Sequence, residues 1–256
     1  MATASLSPEL ASMDAFRCSL PSDVASDQTK DRLCAIGQYQ ALETGQALPA
    51  DAHEDLLVFV SSGAAKLTAR STPITPAKSK AATDSAHCNH VLAFHFAGDI
   101  VSVLRRTGGD FSLIALNPTD LVVFSASQFL DVAQDDPVVI RSVLTRSLQF
   151  LHRSRTRMMQ LGYKSARQRL AGFLLSMAKR LCGCTQGECE FSLPMSRRDI
   201  ADSLGLTIET VSRQFAELRE AGLVTTKGRS GVRLTDMAAL AIEAGLESSI
   251  QIQSEV

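Results

Sequence analysis

Hydrogen bonds to the polar edges of planar groups suit the side-chain types and the spacing of Glu209, Ser212 and Arg213. On a helix, positions i, i+3 and i+4 lie on one face. An arginine can donate two parallel hydrogen bonds to O6 and N7 of guanine, a glutamate can accept one from N4 of cytosine, and a serine can contact a base edge. In isolation, Glu209 and Arg213 would equally suit an exposed ion pair worth about 0.2–0.5 kcal/mol. The surrounding elements must therefore decide between the two interpretations.

The residues before and around this face predict two short helices joined by a tight turn. Ser196 and Asp199 have the spacing of a capping box at the start of the first helix. Gly205 permits a turn with positive φ, and Thr207 can cap the second helix. The predicted buried side of the second helix holds Val211, Phe215, Leu218 and Leu223. This order predicts a helix-turn-helix, in which the N-terminal end of the second helix enters the major groove of DNA.

Residues 223–234 predict a hairpin directly after the second helix. Its tip, Lys227-Gly228-Arg229, is basic and rich in glycine. Such a tip is a wing suited to contacting the DNA backbone through Lys227 and Arg229.

Charge is divided unevenly along the chain, although the 256 residues carry a net charge of only −1. Residues 141–233 hold 17 Lys and Arg against 7 Asp and Glu, a net charge of +10, and the remainder is acidic. A basic region attracts phosphates because neutralising them releases condensed counterions. A solvated basic face without a partner would have the same composition, so charge alone leaves the partner open.

Residues upstream of the basic region predict a tail followed by a β domain. The first 30 residues show no sustained periodicity, so a flexible tail is expected there. Short apolar runs separated by turn residues over 31–137 predict a small sandwich or barrel-like roll, with a long loop at 71–85. An apolar content of 45% excludes a fully disordered chain, and the aliphatic runs are too short to span a bilayer. The N-terminus shows no pattern of a secretory signal.

Residues 138–164 predict one long helix, because residues 138–161 contain neither proline nor glycine. Spacings of four and three alternate along a heptad seam that would pair two copies of the helix. The members of this predicted dimer seam are Ile140, Leu144, Ser147, Leu151, Ser154, Met158 and Leu161. Arginines, Arg146 among them, occupy the opposite face. A helix packed into the core of a monomer is the alternative. Residues 165–248 then form the predicted DNA-binding domain.

Two groups of residues could carry redox or metal chemistry. Cys182, Cys184 and Cys189 lie close together just before the helix-turn-helix, where a disulfide could alter DNA binding. Their spacing is not a common zinc pattern, so reduced thiols are the simpler expectation. His87, Cys88, His90 and His95 could suggest a metal or haem. His90 and His95 fall on a predicted strand, where alternate residues face opposite sides, so we predict no metal site and no cofactor. We also predict no enzymatic activity, because the sequence offers neither a nucleophile–base pair nor a phosphate-binding loop. A His/Cys metalloenzyme is the alternative class.

The stretch SRRDIADSLGLTIETVSRQFAELREAGLV (residues 196–224) resembles the DNA-binding segment of the Crp/Fnr family, most closely its Fnr and FixK-like branches. FHFAGDIVS (94–102) more weakly resembles a turn of that family's β-roll. The resemblance implies an α+β fold: an N-terminal cyclic-nucleotide-binding-like jelly roll, a long dimerisation helix and a C-terminal winged helix-turn-helix. It implies a cytoplasmic homodimeric regulator, an activator rather than a repressor. Such a regulator would contact RNA polymerase and bind a palindrome with TTGAT-type half-sites.

The same resemblance assigns roles to single residues. Glu209, Ser212 and Arg213 match positions that contact bases, and Ser196, Arg197, Thr207 and Thr210 match positions that contact phosphates. Members that bind cyclic nucleotides carry an Arg-Ser pair, but this chain has Gly109-Asp110 at the corresponding distance, so we predict no cyclic-nucleotide ligand. Cys18, Cys34 and Cys88 do not have the spacing typical of an iron–sulfur cluster. A regulator gated by a cluster, haem or cysteine oxidation on the same scaffold is the alternative function.

Overall fold

The computed structural model describes residues 7–20, 26–49, 54–71, 88–103 and 110–246, in two compact units, Met1–Leu151 and His152–Val256. Several residues discussed above lie outside this description. These are most of the predicted 71–85 loop, His87 and Gly109, together with the side chain of Cys88.

The N-terminal unit is built around two antiparallel sheets, as predicted for a β-roll. The strands described are β1 (Gln38–Leu42), β2 (Leu56–Ser62), β3 (Ala64–Ser71), β4 (Cys88–Phe96), β5 (Ile100–Val103), β6 (Asp110–Ala115) and β7 (Thr119–Ser125). One sheet has the order β1-β7-β2-β5 and the other β4-β3-β6. The core between them contains Val58 from β2, Leu67 from β3 and Leu121 from β7.

Two helices precede the sheets, and the expectation of a flexible tail through residue 30 is wrong for the residues described there. They are α1 (Pro8–Ser19) and α2 (Asp27–Ile36), capped by Ser7 and Ser26 respectively. Phe16 of α1 is fully buried, with its ring 5.4 Å from that of Phe59 and 4.7 Å from that of Phe124. α1 packs against β2 and β7, and α2 packs against α3 and α1, so both helices depend on contacts that are distant in the sequence.

The sheets are followed by α3 (Ala126–Ala133) and the predicted long helix, α4 (Pro137–Tyr163). Asp136 caps α4: one carboxylate oxygen accepts the amide of Val138 at 3.1 Å, and the other accepts the amide of Ser26 at 3.0 Å. Pro137 suits the first helical position, where no intrahelical donor is needed. The bonds from Ser26 and Val138 lower the pKa of Asp136, although burial opposes them.

The first half of α4 packs one face against the roll, and an exposed apolar face continues along the helix into its second half. Val139 is buried, and Ile140, Val143 and Phe150 pack against the roll core. The solvent face exposes Leu144 (56%), Leu151 (43%) and Met158 (73%), as the predicted dimer seam requires, together with Leu148. Ile140 of that predicted seam packs against the roll instead, Ser147 is exposed beside a small cavity, and the side chain of Leu161 lies outside the description.

Arg146 is also not part of a free cationic face. It donates to the backbone oxygens of Ser19 at 2.7 Å and Gly98 at 3.2 Å, and so links α4 to α1 and to the turn after β4.

The C-terminal unit contains the elements predicted for a winged helix-turn-helix. They are α5 (Ala166–Cys182), β8 (Cys189–Ser192), α6 (Arg197–Leu204), α7 (Ile208–Glu220), β9 (Val224–Lys227), β10 (Gly231–Leu234) and α8 (Met237–Glu243). The three strands form one antiparallel sheet in the order β8-β10-β9. Among the helices described in either unit, none has the length and apolar character needed to cross a membrane.

Candidate DNA interface

Local interactions determine where α6 begins and how the chain turns from α6 into α7. Ser196 accepts the amide of Asp199 at 3.2 Å, and Asp199 accepts the amide of Ser196 at 2.9 Å, which completes the capping box. Gly205 ends α6 in the left-handed conformation, at φ 61°. The amide of Leu206 then donates to the backbone oxygen of Ala201 at 2.9 Å. The capping box thus begins α6, and the Gly205 conformation with the Leu206–Ala201 bond closes the turn that leads into α7.

One face of α7 is buried and the opposite face carries the predicted base-contacting residues. Val211, Phe215 and Leu218 are buried, whereas Leu223, after the helix, is half-buried. This packing leaves Glu209, Ser212 and Arg213 exposed near the N-terminal end of α7. The structure therefore places three residues with complementary hydrogen-bonding groups on the end of the helix that enters a major groove in this motif.

Glu209 is held as an anion at the start of α7. Its own backbone amide and the hydroxyl of Thr207 lower the pKa of its carboxyl group by hydrogen bonding. An ionised carboxylate only accepts hydrogen bonds. The group is therefore complementary to a donor such as the amino group of cytosine.

Arg197, predicted to contact phosphate, packs on Phe215. Its guanidinium carbon lies 3.2 Å from the centre of the phenyl ring, a cation–π contact. Burial, together with the charge of Arg219, lowers the pKa of Arg197 to about 10, so the group remains cationic at neutral pH. Its buried Nη1 has no hydrogen-bond partner among the described residues. Such a cation beside a second one favours an anionic partner.

The hydroxyl groups predicted to contact phosphate also serve the helix caps. The Ser196 hydroxyl donates to Asp199 at 2.6 Å, and the Thr207 and Thr210 hydroxyls lie 3.1 Å apart. Thr207 also accepts the amide of Thr210 at 3.2 Å. A phosphate contact by these groups would therefore have to be compatible with the capping bonds.

The wing forms as predicted from β9 and β10. Lys227 and Arg229 lie exposed at its tip, on either side of Gly228, which has a φ of 62°. A Cβ at Gly231 would lie 2.7 Å from the backbone oxygen of Lys227, so the hairpin requires glycine there. The tip presents two cations on a short, defined turn.

The three C-terminal thiols gather where α5 ends and β8 begins. Cys182 is exposed, Cys184 is half-buried and Cys189 is buried. Burial, followed by hydrogen bonding with the thiols of Cys184 and Cys182, raises the pKa of Cys189 to about 12. Within the described residues, no group of three or more His, Cys, Asp or Glu side chains could hold a metal ion.

His95 lies on β4, beside a small cavity between the roll and α4. The cavity has a volume of about 150 Å³. Its lining consists of Leu57, His95, Ile100, Val101, Ser102, Val143, Arg146, Ser147 and Phe150. Nδ1 of His95 lies 3.5 Å from the carboxylate of Asp99, and its ring stacks on Phe150 at 5.9 Å. His90 is exposed on the same strand, whereas His95 is buried, so these two histidines of the group, whose side chains the structure describes, lie in different surroundings.

Comparison with known proteins agrees with this arrangement. Residues 168–242 match the family described as the Crp-like helix-turn-helix domain. The chain is 38% identical over 136 residues to the transcriptional activator protein FnrL of Cereibacter sphaeroides, an alignment that covers 51% of this chain and 55% of FnrL. It is 31% identical over 167 residues to the transcriptional regulatory protein btr of Bordetella pertussis, covering 64% of this chain and 69% of btr.

A solved structure extends the likeness to both units. FixK2 from Bradyrhizobium japonicum superposes with a TM-score of 0.65 at 26% identity, covering 81% of this chain and 96% of that chain. The curated relatives are named regulators, and their family is not one of enzymes. The helix-turn-helix, the β-roll and these relatives together establish that the chain belongs to the Crp/Fnr family, in its FixK/Fnr-like branch.

Proposed function

We propose that this protein is a sequence-specific DNA-binding regulator that acts as a homodimer on a palindrome with TTGAT-type half-sites. The observation that carries the proposal is the exposed Glu209, Ser212 and Arg213 face at the N-terminal end of α7. Arg213 would donate hydrogen bonds to guanine, and Glu209 would accept one from cytosine. These contacts would select the bases. Arg197, Lys227 and Arg229 would contact phosphates and fix the register, with Ser196, Thr207 and Thr210 as further phosphate contacts.

The exposed apolar face of α4 supports the homodimer. Leu144, Leu148, Leu151 and Met158 are large side chains in contact with water, on a helix long enough for several heptads. A second copy of α4 would bury them. Two copies would place two α7 helices on the two halves of a symmetric site.

Activation of transcription, and hence contact with RNA polymerase, is the proposed outcome of DNA binding. It is supported by the name of FnrL, a transcriptional activator. Such a regulator would act in the cytoplasm, where bacterial DNA lies. A cyclic nucleotide is not part of the proposal, because Gly109-Asp110 stands at the position where an Arg-Ser pair is expected.

Selection of bound DNA from a random pool tests the proposal. Wild-type protein should enrich a palindrome, and Arg213→Ala should bind DNA without enriching the same bases. A pool with no enriched motif would contradict the proposed function. A motif without two-fold symmetry would contradict the homodimer alone.

The cavity beside His95 favours a second candidate, a regulator gated by a small ligand on the same scaffold. At about 150 Å³ it is smaller than the roughly 300–1,000 Å³ of ordinary ligand pockets, so it would suit a molecule far smaller than haem. Protein purified without air should then show a ligand by mass spectrometry or a visible absorption band. Colourless protein that carries no small molecule and still binds DNA would exclude this candidate.

The gathered thiols favour control by oxidation as a third possibility. Two thiols and one peroxide molecule would give one disulfide and two waters. Cys189 pairs with Leu234 across the sheet, so a disulfide to Cys182 or Cys184 would act directly on the strand β10 of the wing. Peroxide should change the DNA affinity of wild-type protein but not of Cys189→Ser. An equal response of both proteins would rule out this cluster as the sensor.

A further inference from the structure

One turn beyond Arg213, α7 carries a carboxylate that faces the arginine. Oε1 of Glu217 lies 3.8 Å from Nε of Arg213, an ion pair at spacing i, i+4. The side chain of Glu217 is 38% exposed, compared with 68% for Arg213. The pair therefore has a more exposed member, Arg213, and a less exposed member, Glu217.

Glu217 is held from its other side by α5. Nη1 of Arg167 lies 3.7 Å from Oε2 of Glu217, and Nε of Arg167 donates to Oε1 of Glu243, on α8, at 2.5 Å. Charges thus alternate along Glu243, Arg167, Glu217 and Arg213, and three helices contribute to the row. Networks of this kind restrict side chains more than an isolated surface pair does.

The contact with Glu217 leaves the two terminal nitrogens of Arg213 available. A guanidinium group has five donors in a planar fork, one of them on Nε. Because Glu217 lies beside Nε, both terminal nitrogens remain for a bidentate contact with guanine O6 and N7. The same contact restricts the rotation of a long side chain, so less conformational freedom is lost when DNA binds.

We infer that Glu217 is a positioning residue that orients Arg213 for guanine, and that Arg167 and Glu243 hold Glu217 in place. The inference rests on the proposed function, because it assigns base contact to Arg213. It also predicts an unusual signature. A carboxylate on this face repels phosphates, so its removal raises affinity for any DNA while lowering the preference for the correct sequence.

The test uses the full-length protein and three duplexes. They are the palindrome selected by the wild-type protein, the same palindrome with its conserved guanines replaced by adenines, and an unrelated sequence. Glu217→Gln should lower the ratio of affinities for the first two duplexes about threefold, as expected for residues coupled in one network. It should bind the unrelated duplex more tightly than wild type. Glu217→Asp, which keeps the charge but shortens the reach, should lower the ratio without tighter unrelated binding.

Glu220→Gln is the matched control, because Glu220 is exposed near the end of the same helix. It removes the same charge and should leave the ratio unchanged. In an Arg213→Ala background, Glu217→Gln should have no further effect on the ratio. This inference alone would be overturned if Glu217→Gln kept the wild-type ratio of affinities for the two palindromes while Arg213→Ala bound both palindromes equally. An unchanged ratio in Arg213→Ala would overturn the proposed base contact itself.

Discussion

The two units of this chain differ in how many of their charged side chains remain available to a partner. In the N-terminal unit, Arg146 is bound to two backbone oxygens, Asp136 caps α4, and Asp120 accepts hydrogen bonds from Tyr39 and Ser62 at 2.7 Å each. In the C-terminal unit, Arg213 and the wing cations lie at the surface. Charged side chains thus join elements within the first unit, whereas the second unit uses some of them in this way, such as Arg167, and leaves others available to a partner.

This comparison gives the uneven charge of the sequence a structural meaning. The net +10 of residues 141–233 includes Arg146, which serves the roll, as well as the cations around α7 and the wing. A basic stretch in sequence is therefore not one surface. Substitutions in the first unit should change stability or assembly, and substitutions around α7 should change DNA binding with little effect on stability.

The largest effect is expected from Phe16→Ala in α1. Removal of a fully buried phenylalanine that contacts Phe59 and Phe124 should lower the free energy of unfolding of the N-terminal unit by about 3–5 kcal/mol. Denaturant unfolding measures this loss. Leu10→Ala, at an exposed site of the same helix, is the control and should have little effect. Equal, small losses in both variants would show that α1 does not belong to the core.

Leu151→Ala on α4 should weaken self-association by about 2 kcal/mol per protomer, because the leucine would be buried in the proposed dimer. Analytical ultracentrifugation over a range of protein concentrations measures the change. Leu130→Ala truncates an equally exposed leucine on α3 and should leave association unchanged. A wild-type protein that stays monomeric at high concentration would contradict the proposed homodimer.

Arg213→Ala should reduce discrimination between the selected palindrome and its guanine-substituted form by about 1–3 kcal/mol, as expected for one bidentate contact. Competition binding at fixed salt concentration measures it. Lys227→Ala should instead weaken binding to every duplex about equally, and lower the salt dependence by about one counterion. The assignment of base and phosphate contacts fails if the two variants behave alike.

The smallest effect concerns the cap of α4. Because hydrogen bonds from Ser26 and Val138 lower the pKa of Asp136 in the folded state, its contribution is present at neutral pH. That contribution is lost as pH falls through the folded-state pKa. Asp136→Ala should cost about 1 kcal/mol of unfolding free energy at pH 7, and less under acid conditions. Asp135→Ala removes the neighbouring exposed carboxylate and should not reproduce this pH dependence. A cost independent of pH would argue against an ionised cap.

The C-terminal site could be predicted because its signals are local. The capping spacing of Ser196 and Asp199, the turn at Gly205 and the face of Glu209, Ser212 and Arg213 each depend on residues within a few positions. The stacking of Arg197 on Phe215 was not predicted, because it joins side chains 18 positions apart on different helices.

The N-terminal unit was predicted less completely because long-range packing decides it. Phe16 identifies α1 as part of the core only when Phe59 and Phe124 are known to meet it. Similarly, a heptad pattern on α4 does not reveal which side the roll covers. Ile140 therefore belongs to the roll side, and Leu148 joins the exposed face.

The most direct test of the central claim is selection of DNA bound by the wild-type protein and by Arg213→Ala from the same random pool. The account predicts a two-fold-symmetric motif with a conserved guanine in each half-site for the wild-type protein. In Arg213→Ala, preference at that guanine should disappear while some DNA binding remains. Recovery of the same guanine-containing motif by both proteins would contradict the claim that the exposed end of α7 contacts the bases.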